Sequence, residues 1–400
     1  MRAWKNHLST KTPYPYSKPN SRKKRRVNQV MKKLPEVNLT YENLYMMLIA
    51  PIRSQLLLTG IELKVFNVLS EPKSSENIAK ALGTHPTNTR VFLDSLAAID
   101  LLQKKNGLYR NMPIAQAFLT EKSPTYLGRV LPIMKADEQC LQNLSKLVKE
   151  GPPPPTENPS FSIEELVKGV AIMADVEKAG SAQQAVKILQ ELPEFPSFQK
   201  MLDLGGGPGL TGMAIVNAHP SMKGVIFDLP PVINETKKYI KEYEMQDRID
   251  VQGGDFNQDS IGEGYDLVWA SGVLQFATDI NKIVKKVYEA LNPNGVFISL
   301  SPFGQTHERT KPEPIVLTLL TMALMGQDIG VNQGHVANSM QKAGFKSVQS
   351  QKIDTFMGPM ELDIAKKITS KKITTNPLIL DSKKKEIAKH KLLNHRQSWF

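Results

Sequence analysis

The chain has 400 residues, of which 40% are apolar, so it is long enough for one large domain or two ordinary ones with real cores. Its net charge of +12 suggests a nucleic-acid or membrane partner, but the positive charge is concentrated at the ends. Residues 1–36 contain eleven Lys or Arg and one acid, and residues 368–400 contain eight Lys or Arg and two acids. The body between them is mildly acidic, which argues against both partners. We predict a disordered basic leader over 1–36 and a basic tail over 368–400, and we interpret the basic run 22–26 as solvated rather than as a nuclear address.

Nothing in the sequence indicates secretion or a membrane anchor. Cys140 is the only cysteine, so no intrachain disulfide can form. The first residues lack the apolar core of a secretory signal. The longest apolar stretch, residues 315–325, is too short to span a bilayer, and we interpret it as a buried helix. A soluble cytoplasmic protein is expected.

Residues 37–150 begin with helices and continue into a hairpin. Apolar spacing and capping residues predict helices over 45–58, 74–82 and 86–101. Asn106-Gly107, between two short apolar segments, is a strong hairpin signal. Helices followed by a hairpin predict a winged helix, but the candidate recognition helix carries only Arg90 and Asp94 as charged residues, too few cations for DNA. We therefore predict a winged-helix-like dimerisation domain and a homodimer, with the apolar helix 45–58 in the interface.

The second half of the chain alternates between strands and helices. A proline run after Gly151 and helices over 162–192 form a predicted linker and bridging segment over 151–196. Short apolar strands then alternate with helices, which predicts a doubly wound, largely parallel α/β sheet over 197–367. The predicted strands are 200–204, 223–227, 249–252, 265–270, 295–300, 345–351 and 361–365.

A glycine-rich turn follows the first of these strands. The segment Met201-Leu202-Asp203-Leu204-Gly205-Gly206-Gly207-Pro208-Gly209 runs from a strand into a helix that is predicted to begin near Leu210. Glycines there let a ligand approach the backbone closely. Asp228 and Leu229 follow the second strand, where an acid can accept hydrogen bonds from two ribose hydroxyls. Asp255 and Phe256 follow the third strand, where an acid can bind an adenine amino group and an aromatic ring can cover the base.

Two cofactors fit parts of this pattern. Residues 207–212 match the G-x-G-x-x-G pattern of nicotinamide dinucleotide sites, with Asp228 at a suitable distance. However, Asp203 precedes the turn, where it would repel a pyrophosphate but could receive an ammonium group. S-adenosylmethionine carries such an ammonium, so we predict this methyl donor, bound by Asp203, Gly205, Gly207 and the acids of the next two strands. No metal site is predicted.

From about residue 45 to 365 the sequence resembles the plant-type and bacterial small-molecule O-methyltransferases. The resemblance rests on the glycine turn together with Phe227-Asp228-Leu229-Pro230, Gly254-Asp255-Phe256, Glu289-Ala290-Leu291-Asn292-Pro293-Asn294-Gly295 and Ala343-Gly344-Phe345. It implies a class I methyltransferase domain of Rossmann-like α/β fold, preceded by a winged-helix dimerisation domain. It also implies that Gly205, Asp228, Asp255 and Phe256 contact S-adenosylmethionine.

The sequence departs from that family at its usual general base. Gln275 stands where the family places a histidine, and an amide cannot take a proton at neutral pH. Ser271 stands where plant members often have a lysine that contacts the cofactor, and we keep it as a candidate cofactor residue. Donor binding is therefore predicted to be intact, while the apparatus for deprotonating an acceptor is absent.

Several explanations of this departure remain open. The acceptor can be acidic enough to need no base, so that O-methylation, or S- or C-methylation, runs on proximity, with Gln275 orienting the acceptor. His335 is the histidine retained as a candidate catalytic residue, beside His307, Glu308 and Glu313. The alternatives are a cofactor-binding relative that decarboxylates or hydroxylates, and a winged-helix regulator. An apolar acceptor pocket is predicted near Met173 and residues 317–325.

Overall fold

A computed structural model describes residues 34–134, 138–154, 162–301, 306–311, 313–326, 330–355 and 358–368. Contacts within the chain divide it into two units, Met1–Pro51 and Ile52–Phe400. In the first unit, the described residues include the beginning of helix α1, whose side chains are largely exposed. The basic run 22–26 and most of both predicted basic ends lie outside the described residues.

Fourteen α-helices are found within the described part of the chain. They are α1 Glu42–Glu62, α2 Ser75–Leu82, α3 Pro86–Ala98, α4 Pro113–Phe118, α5 Leu131–Met134, α6 Glu138–Gln142, α7 Leu144–Glu150, α8 Ile163–Val176, α9 Ala182–Gln190, α10 Leu210–Asn217, α11 Pro230–Glu242, α12 Ile280–Ala290, α13 Glu313–Leu324 and α14 His335–Ala343. A π-helical turn, Glu177–Ser181, joins α8 to α9, and its Gly180 has φ 140°, which interrupts the regular helix.

The strands form two sheets. The strands are β1 Lys73–Ser74, β2 Leu102–Lys105, β3 Leu108–Asn111, β4 Lys200–Leu204, β5 Lys223–Asp228, β6 Ile249–Gly253, β7 Tyr265–Ser271, β8 Leu291–Ser301, β9 Ser347–Thr355 and β10 Gly358–Lys366. The first three form a small antiparallel sheet in the order β1-β3-β2. The other seven form one sheet in the order β6-β5-β4-β7-β8-β10-β9, in which β10 runs antiparallel to both its neighbours.

The smaller sheet shares one hydrophobic core with the helices that surround it in the sequence. Ser74 accepts a hydrogen bond from the backbone of Asn77 and so caps α2, and Gly83 ends that helix in the left-handed region. Asn106 and Gly107 both have positive φ, which matches the twist that a two-residue hairpin between β2 and β3 requires. The core beneath them includes Phe66, Leu93 and Tyr109. The order of helices and hairpin predicted from the sequence is confirmed.

The large sheet is covered on both faces, as expected of a doubly wound fold. One face packs under α12, α13 and α14, through residues such as Val268, Phe297 and Met340. The other packs against α9 and α10, through residues such as Met201, Trp269 and Leu189. Because parallel strands end at the same edge, the loops after β4, β5, β6 and β7 lie side by side.

Three features differ from expectation. The predicted helix 86–101 ends at Ala98, because Asp100 takes a positive φ before β2. Helix α13 was predicted to be buried, and this was wrong: Leu319 is buried, but Leu317 is 57% exposed. In the described residues, α1 is long and apolar enough to cross a membrane by length and composition alone, with 6% of the relevant window buried.

Candidate cofactor site

The glycine turn between β4 and α10 has a backbone that side chains would obstruct. Gly205 has φ 68°, and a Cβ there would lie 2.2 Å from Cγ2 of Val273. Its N–H and that of Gly206 both donate to the carbonyl oxygen of Phe227, at 2.8 and 3.2 Å, which ties the turn to β5. Gly207 also has a positive φ, 54°, but no atom lies within 4 Å of the place a Cβ would take. The turn is therefore packed at Gly205 and open at Gly207, where a ligand can approach.

Asp228, the last residue of β5, lies directly against this turn. Its Oδ2 accepts the N–H of Gly207 at 2.8 Å, and its Oδ1 accepts the N–H of Leu229 at 2.7 Å. Burial raises the pKa of the Asp228 carboxyl, and the two N–H donors oppose that rise. Leu229 is 38% exposed beside it. The structure thus brings together Gly207, Asp228 and Leu229, three of the residues predicted to bind the cofactor.

Asp255 and Phe256 occupy the loop after β6. Asp255 accepts hydrogen bonds from the backbone N–H of Asn257 and the amide of Gln258, both at 2.9 Å. The Asn257 bond is the main reason that the pKa of Asp255 is lowered, so this carboxylate is ionised at neutral pH. Phe256 is half-buried against the core, and Lys286 Nζ donates to its carbonyl oxygen at 2.6 Å. The pair is held at the same edge of the sheet as Asp228.

Asp203 lies within β4, under the turn. It is 3% exposed, and its Oδ2 is buried without a hydrogen-bond partner in the described chain. Burial raises the pKa of Asp203 to about 7, although the N–H of Gly212 donates to it. An unsatisfied buried carboxylate oxygen is costly unless a ligand or a proton compensates it. This orphan oxygen, the open space at Gly207 and the acids after β5 and β6 fit a cofactor with two ribose hydroxyls, an adenine and an ammonium group.

Ser271 and Gln275 follow at the end of β7. Ser271 is the exposed last residue of the strand. Gln275 is half-buried in a single 3-10 turn, Leu274–Phe276, and its side-chain amide makes none of the hydrogen bonds recorded within the described chain. The preceding Val273 packs against Gly205, which places this turn next to the glycine turn. Gln275 thus lies beside the glycine turn. For Ser271, no side-chain hydrogen bond within the described chain indicates a role.

The histidines lie elsewhere. His335 is the exposed first residue of α14, and the N–H of its neighbour Gly334 donates to Glu361 on β10, two strands away from β7. His307 is exposed in a turn. His219 is buried, and its Nδ1 accepts the N–H groups of Ser221 and Met222, which confirms the structural role predicted for it. In the described chain, no hydrogen bond or ion pair joins His335 or His307 to the glycine turn, and the catalytic role of His335 remains a prediction.

Sequence reasoning missed Glu177. This residue begins the π-helical turn, and its Oε2 accepts both the N–H and the hydroxyl of Thr211, at 2.7 and 3.0 Å. Thr211 lies in the first turn of α10, immediately after the glycine turn. Glu177 lies 26 residues before Asp203, in a segment whose sequence pattern is helical, so nothing marked it as a site residue. The only signal was Gly180, a helix-breaking residue that indicates an irregular segment.

Comparison with known proteins matches two segments of the chain to profiles of one family. The profile of the O-methyltransferase domain matches residues 171–346, and that of the O-methyltransferase dimerisation domain matches residues 47–121. The first match begins within the segment predicted as a linker and includes Glu177. The predicted domain boundaries themselves stay predictions.

Individual relatives and solved structures are similar to this chain over most of its length. An uncharacterised protein of Methanocaldococcus jannaschii is 31% identical over 63% of this chain and 68% of its own length. Acetylserotonin O-methyltransferase of Macaca mulatta is 26% identical over 75% of this chain and 90% of its own. The crystal structure of human N-acetylserotonin methyltransferase with S-adenosylmethionine superimposes with a TM-score of 0.67 at 24% identity, covering 84% of this chain and all of that one. With its glycine turn and its acids at the carboxyl edge of an α/β sheet, the chain belongs to the S-adenosylmethionine-dependent O-methyltransferase family and is a methyltransferase.

Proposed function

We propose that this protein transfers the methyl group of S-adenosylmethionine to an acidic oxygen of a small, largely apolar acceptor, without a protein general base. The observation that carries the proposal is the contrast at the sheet edge. The residues that we propose bind the donor, in the glycine turn and at Asp228 and Asp255, lie together at this edge, whereas the turn beside them carries the amide of Gln275.

We propose the following roles for the residues of the site. Asp228 binds the ribose, Asp255 and Phe256 hold the adenine, and the open side of Gly207 lets the cofactor lie against the turn. When bound, the cofactor supplies an electrophilic methyl group on its sulfonium. Gln275 orients the acceptor by hydrogen bonding, but the acceptor proton is lost to solvent before transfer, since an amide has no basic nitrogen.

Exposed apolar side chains support an apolar acceptor. Met173 on α8 is 40% exposed, Leu317 on α13 is 57% exposed, and Met325 after α13 is 42% exposed. Flexible Met and Leu side chains suit a hydrophobic, adaptable pocket.

Methyl transfer is tested with labelled S-adenosylmethionine and a panel of phenols and thiols of graded pKa. We expect labelled product from the acidic acceptors, and a rate whose pH dependence follows the pKa of each acceptor. Donor binding without any transfer would instead favour the alternative of a relative with other chemistry, which the O-methyltransferase relatives do not support. One protein pKa near 6.5 for every acceptor would mean that a histidine acts as base, and His335 and His307 would then be replaced.

We also propose a homodimer in which α1 forms part of the interface. Leu44, Tyr45 and Leu48 are between 57% and 76% exposed, and the dimerisation-domain profile begins at residue 47. An apolar surface of this kind is covered in a soluble protein by a partner. Sedimentation at micromolar concentration is expected to give a dimer, and replacing Leu44 and Leu48 by Ser is expected to shift it toward monomer. A wild-type protein that sediments as a monomer would refute this proposal.

A winged-helix-like fold of residues 37–150 would not by itself imply DNA binding. Asp94 of α3 accepts Lys104 Nζ at 2.5 Å and the Tyr109 hydroxyl at 2.6 Å, so the acid of the candidate recognition helix and a cation of the hairpin neutralise each other. We propose that the winged-helix-like part serves in dimerisation and that the protein is cytoplasmic. Salt-sensitive DNA binding that survives removal of both basic ends would favour the regulator instead.

A further inference from the structure

Two carboxylates from different parts of the chain meet at the first turn of α10. Glu177 reaches it from the π-helical turn between α8 and α9, and binds the N–H and the hydroxyl of Thr211. Asp203 reaches it from β4, beneath the same helix, where the N–H of Gly212 donates to it. A Cβ on Gly206 or Gly212 would lie 2.8 or 2.7 Å from Oδ2 of Asp203, so glycine at both positions leaves room for this carboxylate.

No cation of the described chain compensates this pair. Lys178, next to Glu177, points away: its Nζ lies 3.9 Å from Glu242 and over the rings of Tyr239 and Tyr243. Arg129 is engaged with Asp175 at 2.6 Å. The other charged neighbour, Asp228, is itself an acid, and its charge adds to the repulsion. Oδ2 of Asp203 remains without a partner.

Two neighbouring buried carboxylates repel each other when both are ionised, and a proton or an external cation is needed to compensate them. Burial and the charge of Asp203 raise the pKa of Glu177 to about 8, and burial raises the pKa of Asp203 to about 7. In the absence of a ligand, the pair therefore retains a proton around neutral pH. Glu177 keeps part of its surface exposed whereas Asp203 is 3% exposed, so Glu177 is the better placed of the two for direct contact with a ligand.

We propose that Glu177 binds the ammonium group of the methionine end of S-adenosylmethionine, with Asp203 acting electrostatically behind it, and that binding expels a proton from the pair. The ammonium keeps its three protons and donates one in a hydrogen bond to Glu177, while the proton that the carboxylates shared passes to solvent. Thr211 and Leu210, at the start of α10, hold the carboxylate in place. This inference rests on the assignment of S-adenosylmethionine as the cofactor.

The test compares two neutral-sulfur ligands. S-adenosylhomocysteine keeps the ammonium, and 5′-methylthioadenosine lacks the amino-acid end but keeps adenosine. Binding of each to the full-length protein is measured by calorimetry from pH 6 to 9, in two buffers of different ionisation enthalpy, so that proton release is counted. Wild type is expected to bind S-adenosylhomocysteine with proton release at pH 6 to 7 that diminishes as pH rises through about 7 to 8, and to bind 5′-methylthioadenosine with little release.

Glu177→Gln is the decisive variant. It is expected to weaken S-adenosylhomocysteine binding by about tenfold or more and to abolish most of the proton release, while affinity for 5′-methylthioadenosine changes by less than about twofold. Glu177→Asp, which keeps the charge, is expected to restore part of the proton release. Glu242→Gln, which removes a nearby carboxylate outside the pair, is the matched control and is expected to behave as wild type.

Other outcomes overturn the inference in recognisable ways. If Glu177 only caps α10, the amide oxygen of Gln still accepts from Thr211, and Glu177→Gln would keep wild-type affinity and proton release. Equal weakening of both ligands would indicate a general distortion of the site rather than ammonium binding. Wild-type protein that binds neither ligand would overturn the cofactor assignment itself.

Discussion

Replacement of Asp228 by alanine tests the cofactor site most directly. In the structure its two oxygens accept one backbone N–H each, from Gly207 and Leu229, and lone pairs remain on both for the ribose hydroxyls. A hydrogen bond to a charged group contributes about 1.5–3 kcal/mol, so the loss of even one ribose bond predicts about 10- to 100-fold weaker binding. The two N–H groups left behind also lose a partner, which is expected to lower the free energy of unfolding by about 1–2 kcal/mol. Calorimetric titration with S-adenosylhomocysteine measures the first effect and thermal unfolding the second.

Asp266 provides a matched control on the opposite edge of the sheet. Its Oδ2 accepts the backbone N–H groups of Gln199 and Lys200, at 2.8 and 3.1 Å, near the beginning of β4 rather than its end. Asp266→Ala is therefore expected to lower the melting temperature as Asp228→Ala does, by about 2–4 °C per kcal/mol, without changing affinity for the ligand. Unchanged affinity in Asp228→Ala, or an equal loss in both variants, would remove Asp228 from the cofactor site.

The remaining predictions concern the acceptor turn, the ends of the chain and pH. Gln275→Ala is expected to reduce kcat by less than the roughly 10²–10⁴-fold that loss of a true general base costs, and a larger loss in a steady-state assay would show that Gln275 does more than orient the acceptor. Removal of residues 1–30 and 372–400 is expected to leave the melting temperature and ligand affinity nearly unchanged, because these segments lack apolar periodicity; a fall of many degrees would mean that an end packs on the body. A carboxyl whose pKa rises on folding stabilises the folded state at low pH, and this contribution is lost as pH rises through the folded pKa. With the pKa of Asp203 raised from 3.8 to about 7 and that of Glu177 from 4.5 to about 8, the melting temperature of the ligand-free protein is expected to fall between about pH 4 and 8, and less so in Glu177→Gln; equal pH dependence in both proteins would contradict these raised pKa values.

The central strands of the large sheet, β5, β4, β7 and β8, were predictable because each contains a short apolar run bounded by turn residues. β4 has the predicted bounds, and β7 extends one residue further, to Ser271. β8 was predicted from Gly295 but begins at Leu291. Asn292-Pro293-Asn294 has the composition of a turn, and Asn294 does take a positive φ, yet Leu291 pairs with Tyr265 across an irregularity in the register. Tertiary pairing overrides the local turn signal there.

The grouping of the candidate cofactor residues at one edge of the sheet was predictable for a related reason. Asp203, Gly207, Asp228 and Asp255 each stand within or just after a strand of one sheet, and the topology alone brings parallel strand ends together. Glu177 could not be found this way, because it lies on a helix whose position over α10 depends on packing. The exposure of α13 was missed for the same reason, since an apolar helix has the same sequence whether a core, a ligand or a partner covers it.

The hydrogen-bond partners of the nearby carboxylates support the proposed absence of a protein base. A general base must lie within hydrogen-bond reach of the acceptor's proton, and a carboxylate that is already held by other donors is less available to reach it. Asp228 already holds two backbone N–H groups, Asp255 holds Asn257 and Gln258, and Glu361 accepts the N–H of Gly334 through both oxygens. Asp255 has a lowered pKa, which makes it a weaker base still. With these groups engaged, with Glu177 and Asp203 proposed to hold the ammonium end of the cofactor, and with an amide at position 275, we propose that the acidity needed for methyl transfer at neutral pH comes from the acceptor, which favours acidic phenols and thiols over aliphatic alcohols.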